Sequence, residues 1–159
     1  MAGLAGSNGR KDVELMRQFV AVTKALACEQ RLRILMALRE RELSEGVISE
    51  MLGLTPSTTS RHLWVLRQAG LVDSEKTGLC VCYHLAAAGR SSVAGKTLRW
   101  LRECLATHPR IVEDAKQARR LSSNSRVQGE CCERRDRRRR WSEIAGRGGR
   151  KRRANGPAR

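Results

Sequence analysis

The chain has 159 residues, 40% of them hydrophobic, with 32 Lys/Arg against 16 Asp/Glu, a net charge of +16 and a pI near 11.1. That length predicts one domain, and that charge points to polyanionic partners: DNA, RNA or an anionic membrane surface. No apolar run approaches the ~20 residues of a spanning helix, and the opening MAGLAGSNGRKD lacks the apolar stretch of a secretory signal. A cytoplasmic location is therefore expected, with the six cysteines as free thiols or metal and metalloid ligands rather than a disulfide framework. The charge is uneven. Residues 1–118 hold 17 Lys/Arg against 12 Asp/Glu, and residues 119–159 hold 15 against 4.

Residues 1–11 read as a flexible N-terminus. From Asp12, a plausible N-cap, Leu15, Met16, Phe19, Val22 and Leu26 recur at helical steps and predict one apolar stripe. Cys28-Glu29 interrupts it. A second helix runs to about Arg39, with Leu32, Leu35, Met36 and Arg39 on one face and Arg31 and Arg33 projecting elsewhere. A charged connection over residues 40–46 leads to a short helix, about Val47 to Leu52. Gly53 supplies the left-handed residue of a tight turn, and Thr55-Pro56 opens another helix, with a cap followed by a proline at the first position. That helix runs to about Ala69. Its inward stripe is Thr59, Leu63 and Leu66, and its outward face is Ser57, Thr58, Ser60, Arg61, Trp64 and Arg67.

Leu71 to Glu75 and Leu79 to Leu85 alternate with period two about Lys76-Thr77-Gly78, which predicts a hairpin. Val81, Tyr83 and Leu85 share one face, and Cys80, Cys82 and His84 share the other. A long helix follows, about Val93 to Thr107, with Ala94, Leu98, Leu101 and Leu105 as a narrow seam. Pro109 stops it. Residues 108–121 predict a short basic helical extension, and residues 122–159 an Arg-rich disordered tail.

Two helices about a glycine turn, then a hairpin, make a helix-turn-helix with a wing. The second helix of such a unit enters the DNA major groove by its N-terminal end. Ser57, Thr58 and Ser60 are short hydroxyls for phosphates or base edges. Arg61 can fork onto guanine, His62 can donate to phosphate or base, and Lys76 and Thr77 at the hairpin can touch the neighbouring backbone.

The segments KALACEQRLRILMALRERELS and LGLTPSTTSRHLWVLRQAGLVDSEKTGLCVCYHL resemble the ArsR/SmtB family of bacterial winged-helix repressors, over about residues 15–107. The resemblance implies a fold that is mainly α with a small β-hairpin (α+β), a homodimer formed by the first and last helices, and a double-stranded DNA operator. It also implies release by an effector, usually a metal or metalloid ion. The domain it implies spans residues 12–107.

The family's best-known sensor sites are absent. Where relatives carry a Cys-x-Cys before the turn, this chain has Ser44-Glu45-Gly46. Residues 93–107 hold no histidine and one acid, Glu103, and the reading helix holds no cysteine. Six thiols remain: Cys28, Cys80, Cys82, Cys104, Cys131 and Cys132. Adjacent Cys131 and Cys132 can both turn onto one soft ion, and a third thiol from Cys104, Cys80 or Cys82 would complete the trigonal set that As(III) or Sb(III) prefers. No cofactor is obligatory on this reading, and another soft metal ion would suit the same donors. Cys80, Cys82 and His84, alternating along a strand, are a second candidate cluster. Cys28 and Cys104 read as buried small hydrophobes.

Arg134, Arg135, Arg137 to Arg140, Arg147, Arg150, Arg152 and Arg153 add salt-dependent attraction to nucleic acid. No phosphate loop, nucleophile-base pair or paired carboxylates point to an enzyme. The sequence supports an effector-released repressor first. A thiol-redox repressor on the same fold, and a constitutive basic nucleic-acid-binding protein, are the alternatives.

Overall fold

A computed structural model of the chain describes residues 8–77, 80–89 and 91–124. In chain order the elements are α1 (Asn8–Leu26), α2 (Glu29–Glu40), β1 (Leu43–Ser44), α3 (Glu45–Leu52), α4 (Pro56–Gln68), β2 (Val72–Thr77), β3 (Cys80–Leu85), α5 (Val93–Leu105) and α6 (Pro109–Asn124). The expected class, mainly helical with a small antiparallel sheet, is what forms.

The helix-turn-helix is built as its residues dictate. Ser44 caps α3 by accepting from the Val47 N–H, and Thr55 caps α4 by accepting from the Thr58 N–H. Both helices close the same way. Gly53 and Gly70 sit at φ +67° and +66°, and their N–H groups donate to Glu50 and Arg67. The following Leu54 and Leu71 N–H groups donate to Ser49 and Leu66, completing two Schellman motifs. Only glycine takes that left-handed conformation without a Cβ penalty. Ile34, Leu35, Ile48, Leu63, Leu66, Leu71 and Val72 are fully buried and tie α2, α3, α4 and the sheet into one core. The inward stripe of α4 is Thr59, Leu63 and Leu66, as its periodicity predicts.

Five local expectations change. First, α1 starts at Asn8, so Asp12 is an interior residue rather than the cap; Arg10 and Lys11 are good helix formers and extend the helix backwards. Second, the connection over 40–46 contains β1, which makes β3 the central strand of the order β1-β3-β2. Leu43 pairs with Tyr83 and Ser44 with Cys82. Third, β2 continues through Thr77, so Lys76 and Thr77 belong to the strand, paired with Val81 and Cys80.

Fourth, the extension after Pro109 is a full 16-residue helix, with the proline near its start, and it packs on α2 and α3. Fifth, Arg33 does not project to solvent. Its side chain and that of Asp114 on α6 are each only 4% exposed, and Nε and one Nη donate to the two carboxylate oxygens at 2.7 Å. The Asp114 hydrogen bond pushes the Arg33 pKa up against the desolvation that lowers it, so Arg33 stays charged. Arg119 adds a surface link from α6 to Glu40 of α2 at 3.0 Å.

Candidate nucleic-acid interface

Burying one stripe of α4 forces the other outward. Ser57, Thr58, Ser60 and Arg61 are all exposed, in the first two turns of the helix. The hydroxyls are organised around the cap: Thr55 Oγ1 lies 3.1 Å from Ser57 Oγ and 2.9 Å from Thr58 Oγ1. Thr58 is thus partly engaged locally, whereas Ser60 and Arg61 face solvent. Unpaired N–H groups of the first helical turn favour a phosphate at this end.

His62 sits differently from its neighbours. It is half-buried, and its Nδ1 is buried with no hydrogen-bond partner among the described residues. Desolvation, then repulsion from Arg31 and Arg61, lowers its pKa below 6.5. His62 therefore sits between the outward face of α4 and the scaffold, where its charged form is disfavoured. Trp64, one turn beyond Ser60 and Arg61, is 59% exposed. The periodicity places it on the outward face, but nothing in its residue type alone marks it as a contact. Lys76 is exposed near the wing end of the sheet. The Thr77 side chain, Gly78 and Leu79 lie outside the described residues.

A second open surface lies on α1. Val22 and Ala25 are buried, but Met16 is 66% exposed and Phe19 56%, and Val13 and Leu15 are open as well. Leu15, Phe19, Val93, Thr97 and Trp100 line a groove of about 410 Å³ between α1 and α5. The predicted α5 seam behaves otherwise: Leu101 is buried in the chain's own core, and Ala94, Leu98 and Leu105 pack against that core. On α1 and α5, the large apolar side chains left open are those of α1 and Trp100.

The cysteines separate. Cys28 is half-buried and Cys104 exposed, and both are free thiols, so Cys104 is not the buried hydrophobe its helix suggested. Cys82 is fully buried and its sulfur is in a disulfide whose partner lies outside the described side chains. The expectation of free thiols fails there. His84 is also buried, and β1 adds a third strand along the edge of β3. The Cys80 side chain, Cys131-Cys132 and the Arg-rich tail lie outside the described residues. Among the described residues no group of three or more His, Cys, Asp or Glu could hold a metal ion, and no helix is long and apolar enough to cross a membrane.

A family model described as "Bacterial regulatory protein, arsR family" matches residues 28–74. The chain is similar to the transcriptional activator HlyU of Vibrio cholerae, 44% identical over 68 residues, which are 43% of this chain and 63% of HlyU. The chain thus spans a little under two thirds of the length of that relative. It is 35% identical over 92 residues to an uncharacterised HTH-type regulator of Mycobacterium tuberculosis, Rv0081, covering 57% of this chain and 81% of the relative. Among solved structures, the homodimeric winged helix-turn-helix domain of Mb0332 from Mycobacterium bovis superposes with a TM-score of 0.54. It is 28% identical and covers 68% of this chain and 93% of that domain.

Proposed function

This chain belongs to the ArsR/SmtB family of transcriptional regulators, and from that premise we propose that it is a homodimeric DNA-binding repressor released from its operator through cysteine chemistry. The observation that carries the reading is the outward face of α4. Ser57, Ser60 and Arg61 are presented together on a helix whose opposite stripe is locked in the core. Arg61 forks onto a guanine edge, Ser57, Thr58 and Lys76 contact phosphates, and Thr77 lies beside the backbone. Trp64 makes an apolar contact one turn further along the groove. His62, half-buried and with its charged form disfavoured, supports the helix and offers at most one edge to the DNA.

The exposed apolar residues of α1, with Trp100, form the dimer surface. A patch of this kind is uncommon on a monomer and costs its burial energy until a partner covers it. The Mb0332 domain, described as homodimeric, supports the pairing of two copies. HlyU is named an activator, so repression is the part of the proposal that a reporter assay addresses.

As(III) or Sb(III) is the first candidate effector, held by Cys131 and Cys132. The third thiol is Cys104, because it is free and exposed, whereas Cys82 is bonded and buried. Reach limits this choice. The 16 residues of α6 carry the chain about 24 Å, and the seven steps from Asn124 to Cys131 return at most about 25 Å when fully extended. The test begins by selecting bound duplexes from a randomised pool and following their anisotropy. Arsenite is expected to release wild-type protein and to leave a Cys131→Ser/Cys132→Ser variant bound. Unchanged affinity of the reduced wild type in arsenite would reject the metalloid effector.

One observation favours a redox reading of the same switch. Cys82, already in a disulfide, lies in register with Ser44, whose hydroxyl caps the first helix of the reader. A change of bond at Cys82 therefore acts one strand away from α3. On this reading, reductant shifts DNA affinity without any metalloid, and Cys82→Ser removes the shift. A constitutive basic DNA binder makes a third prediction, that deleting residues 125–159 abolishes binding rather than merely flattening its salt dependence.

A further inference from the structure

Given the homodimeric reading above, on which this rests, we propose that Arg31 is a positioning residue for DNA reading. It clamps the end of α1 beside α4, and so sets the spacing at which two protomers meet two half-sites.

The clamp lies in how α1 ends. Helices α3 and α4 close on Gly53 and Gly70, whose N–H groups reach back into the last turn. No glycine follows α1; the next residues are Ala27 and Cys28. The last four carbonyls of a helix have no partner within it, yet those of α1 are all taken. Thr23 accepts from the Ala27 N–H at 3.2 Å, and Leu26 from the Cys28 N–H at 2.7 Å. Lys24 and Ala25 accept from Arg31, through one Nη at 2.9 Å and Nε at 2.5 Å. One planar guanidinium thus closes two carbonyls, at a helix end whose dipole also favours a cation.

Arg31 belongs to α2, so the fork ties α1 to a helix that anchors the core. Helix α1 packs against both α2 and α4, and Ala25 is fully buried. The half-buried Arg31 also reaches α4. After desolvation, its charge is the next cause of the lowered pKa of His62, the neighbour of Arg61 on the reading helix. A single side chain therefore holds the end of the helix that carries the dimer surface and lies beside the inner flank of the helix that reads DNA.

The leverage is large. Helix α1 has 19 residues, about 28 Å at helical rise. Its open residues Val13, Met16 and Phe19 lie beyond the clamp, towards the other end. A swing of about 7° about the clamped end moves the far end by about 3.4 Å, the rise of one base-pair step. Half-sites are read at a fixed separation, about 34–36 Å for one turn of duplex. A loosened α1 blurs that separation without removing any base contact.

Anisotropy on three duplexes tests this: the duplex selected by wild type, the same duplex with one base pair inserted at its centre, and one half of it. Wild type is expected to lose at least tenfold on the insertion. Arg31→Gln is expected to bind the selected duplex at least tenfold more weakly than wild type and to bind the inserted duplex as well as the selected one. On the half duplex it is expected to match wild type, and in sedimentation to remain dimeric. In the free protein, the His62 imidazole followed by NMR is expected to titrate at higher pH in Arg31→Gln than in wild type. If Arg31→Gln does not fold, Arg31→Lys, which keeps the charge without the planar fork, carries the same expectation for the three duplexes. Wild-type discrimination by the folded variant, an equal loss on the half duplex, a monomeric variant or an unmoved His62 titration each overturns the positioning role. Wild type indifferent to the insertion fails the homodimeric reading itself, and the positioning role with it.

Discussion

Helices α4 and α1 each bury one stripe and leave the other open, and the open stripes have opposite chemistry. On α4 the exposed residues are Ser57, Ser60, Arg61 and Trp64; on α1 they are Val13, Leu15, Met16 and Phe19. Exposure alone would not tell them apart. Hydroxyls and a guanidinium at a helix N-terminus lose little in water and gain at a phosphate or base edge. A row of large apolar side chains gains only when another apolar surface removes it from water. On the proposed function one helix is finished by nucleic acid and the other by protein, and the core between them holds the two faces in fixed relation.

The largest expected effect comes from breaking the support that both faces share. Asp114→Ala leaves Arg33 charged and buried without its partner, a change of about 3–5 kcal/mol. Urea unfolding should show that loss as a lower midpoint with a similar slope; a midpoint within experimental error of wild type would mean that α6 is dispensable to the core. Next, Phe19→Asp separates the two faces. Each protomer forfeits about 1.5–3 kcal/mol of apolar burial, so association weakens on the order of a hundredfold or more. Sedimentation equilibrium should find monomers that keep the wild-type helical spectrum. Dimers of unchanged affinity would move the interface away from α1.

The smallest effect concerns His62, beneath the α4 face. Its folded pKa lies below the ordinary 6.5. Its contribution to stability is therefore present above about that value and is lost as pH falls through the folded pKa. Between pH 7 and 5, thermal stability should decline more for wild type than for His62→Gln. Parallel curves would place the depressed titration elsewhere.

Much of this was legible in residue patterns. The caps at Thr55 and the glycines at 53 and 70 each do one backbone job, so short-range chemistry locates the reader. The inward stripe of α4 follows from period alone. What the pattern could not carry is long-range pairing. Arg33 and Asp114 are 81 positions apart, and an arginine between apolar residues on a helix reads as solvated until a partner on another helix is known. The two residues of β1 are too few for any period, yet they pair along the edge of β3 and make it the central strand. The α5 seam was read from correct spacing, but Leu101 within it is buried in this chain's own core, because periodicity reports an apolar face and not which surface covers it. The same limit applies to Arg31, which only the fold brings onto the end of α1.

Arg61 is the residue on which DNA reading by α4 depends most directly. Anisotropy with a duplex selected by the wild-type protein, and with a random duplex of equal length, should be measured for wild type and Arg61→Ala across a salt series. The expected result is a loss of about 1–3 kcal/mol on the selected duplex, roughly tenfold to a hundredfold, with random-duplex binding nearly unchanged. Equal losses on both duplexes would make Arg61 a phosphate contact and contradict α4 as the reading helix.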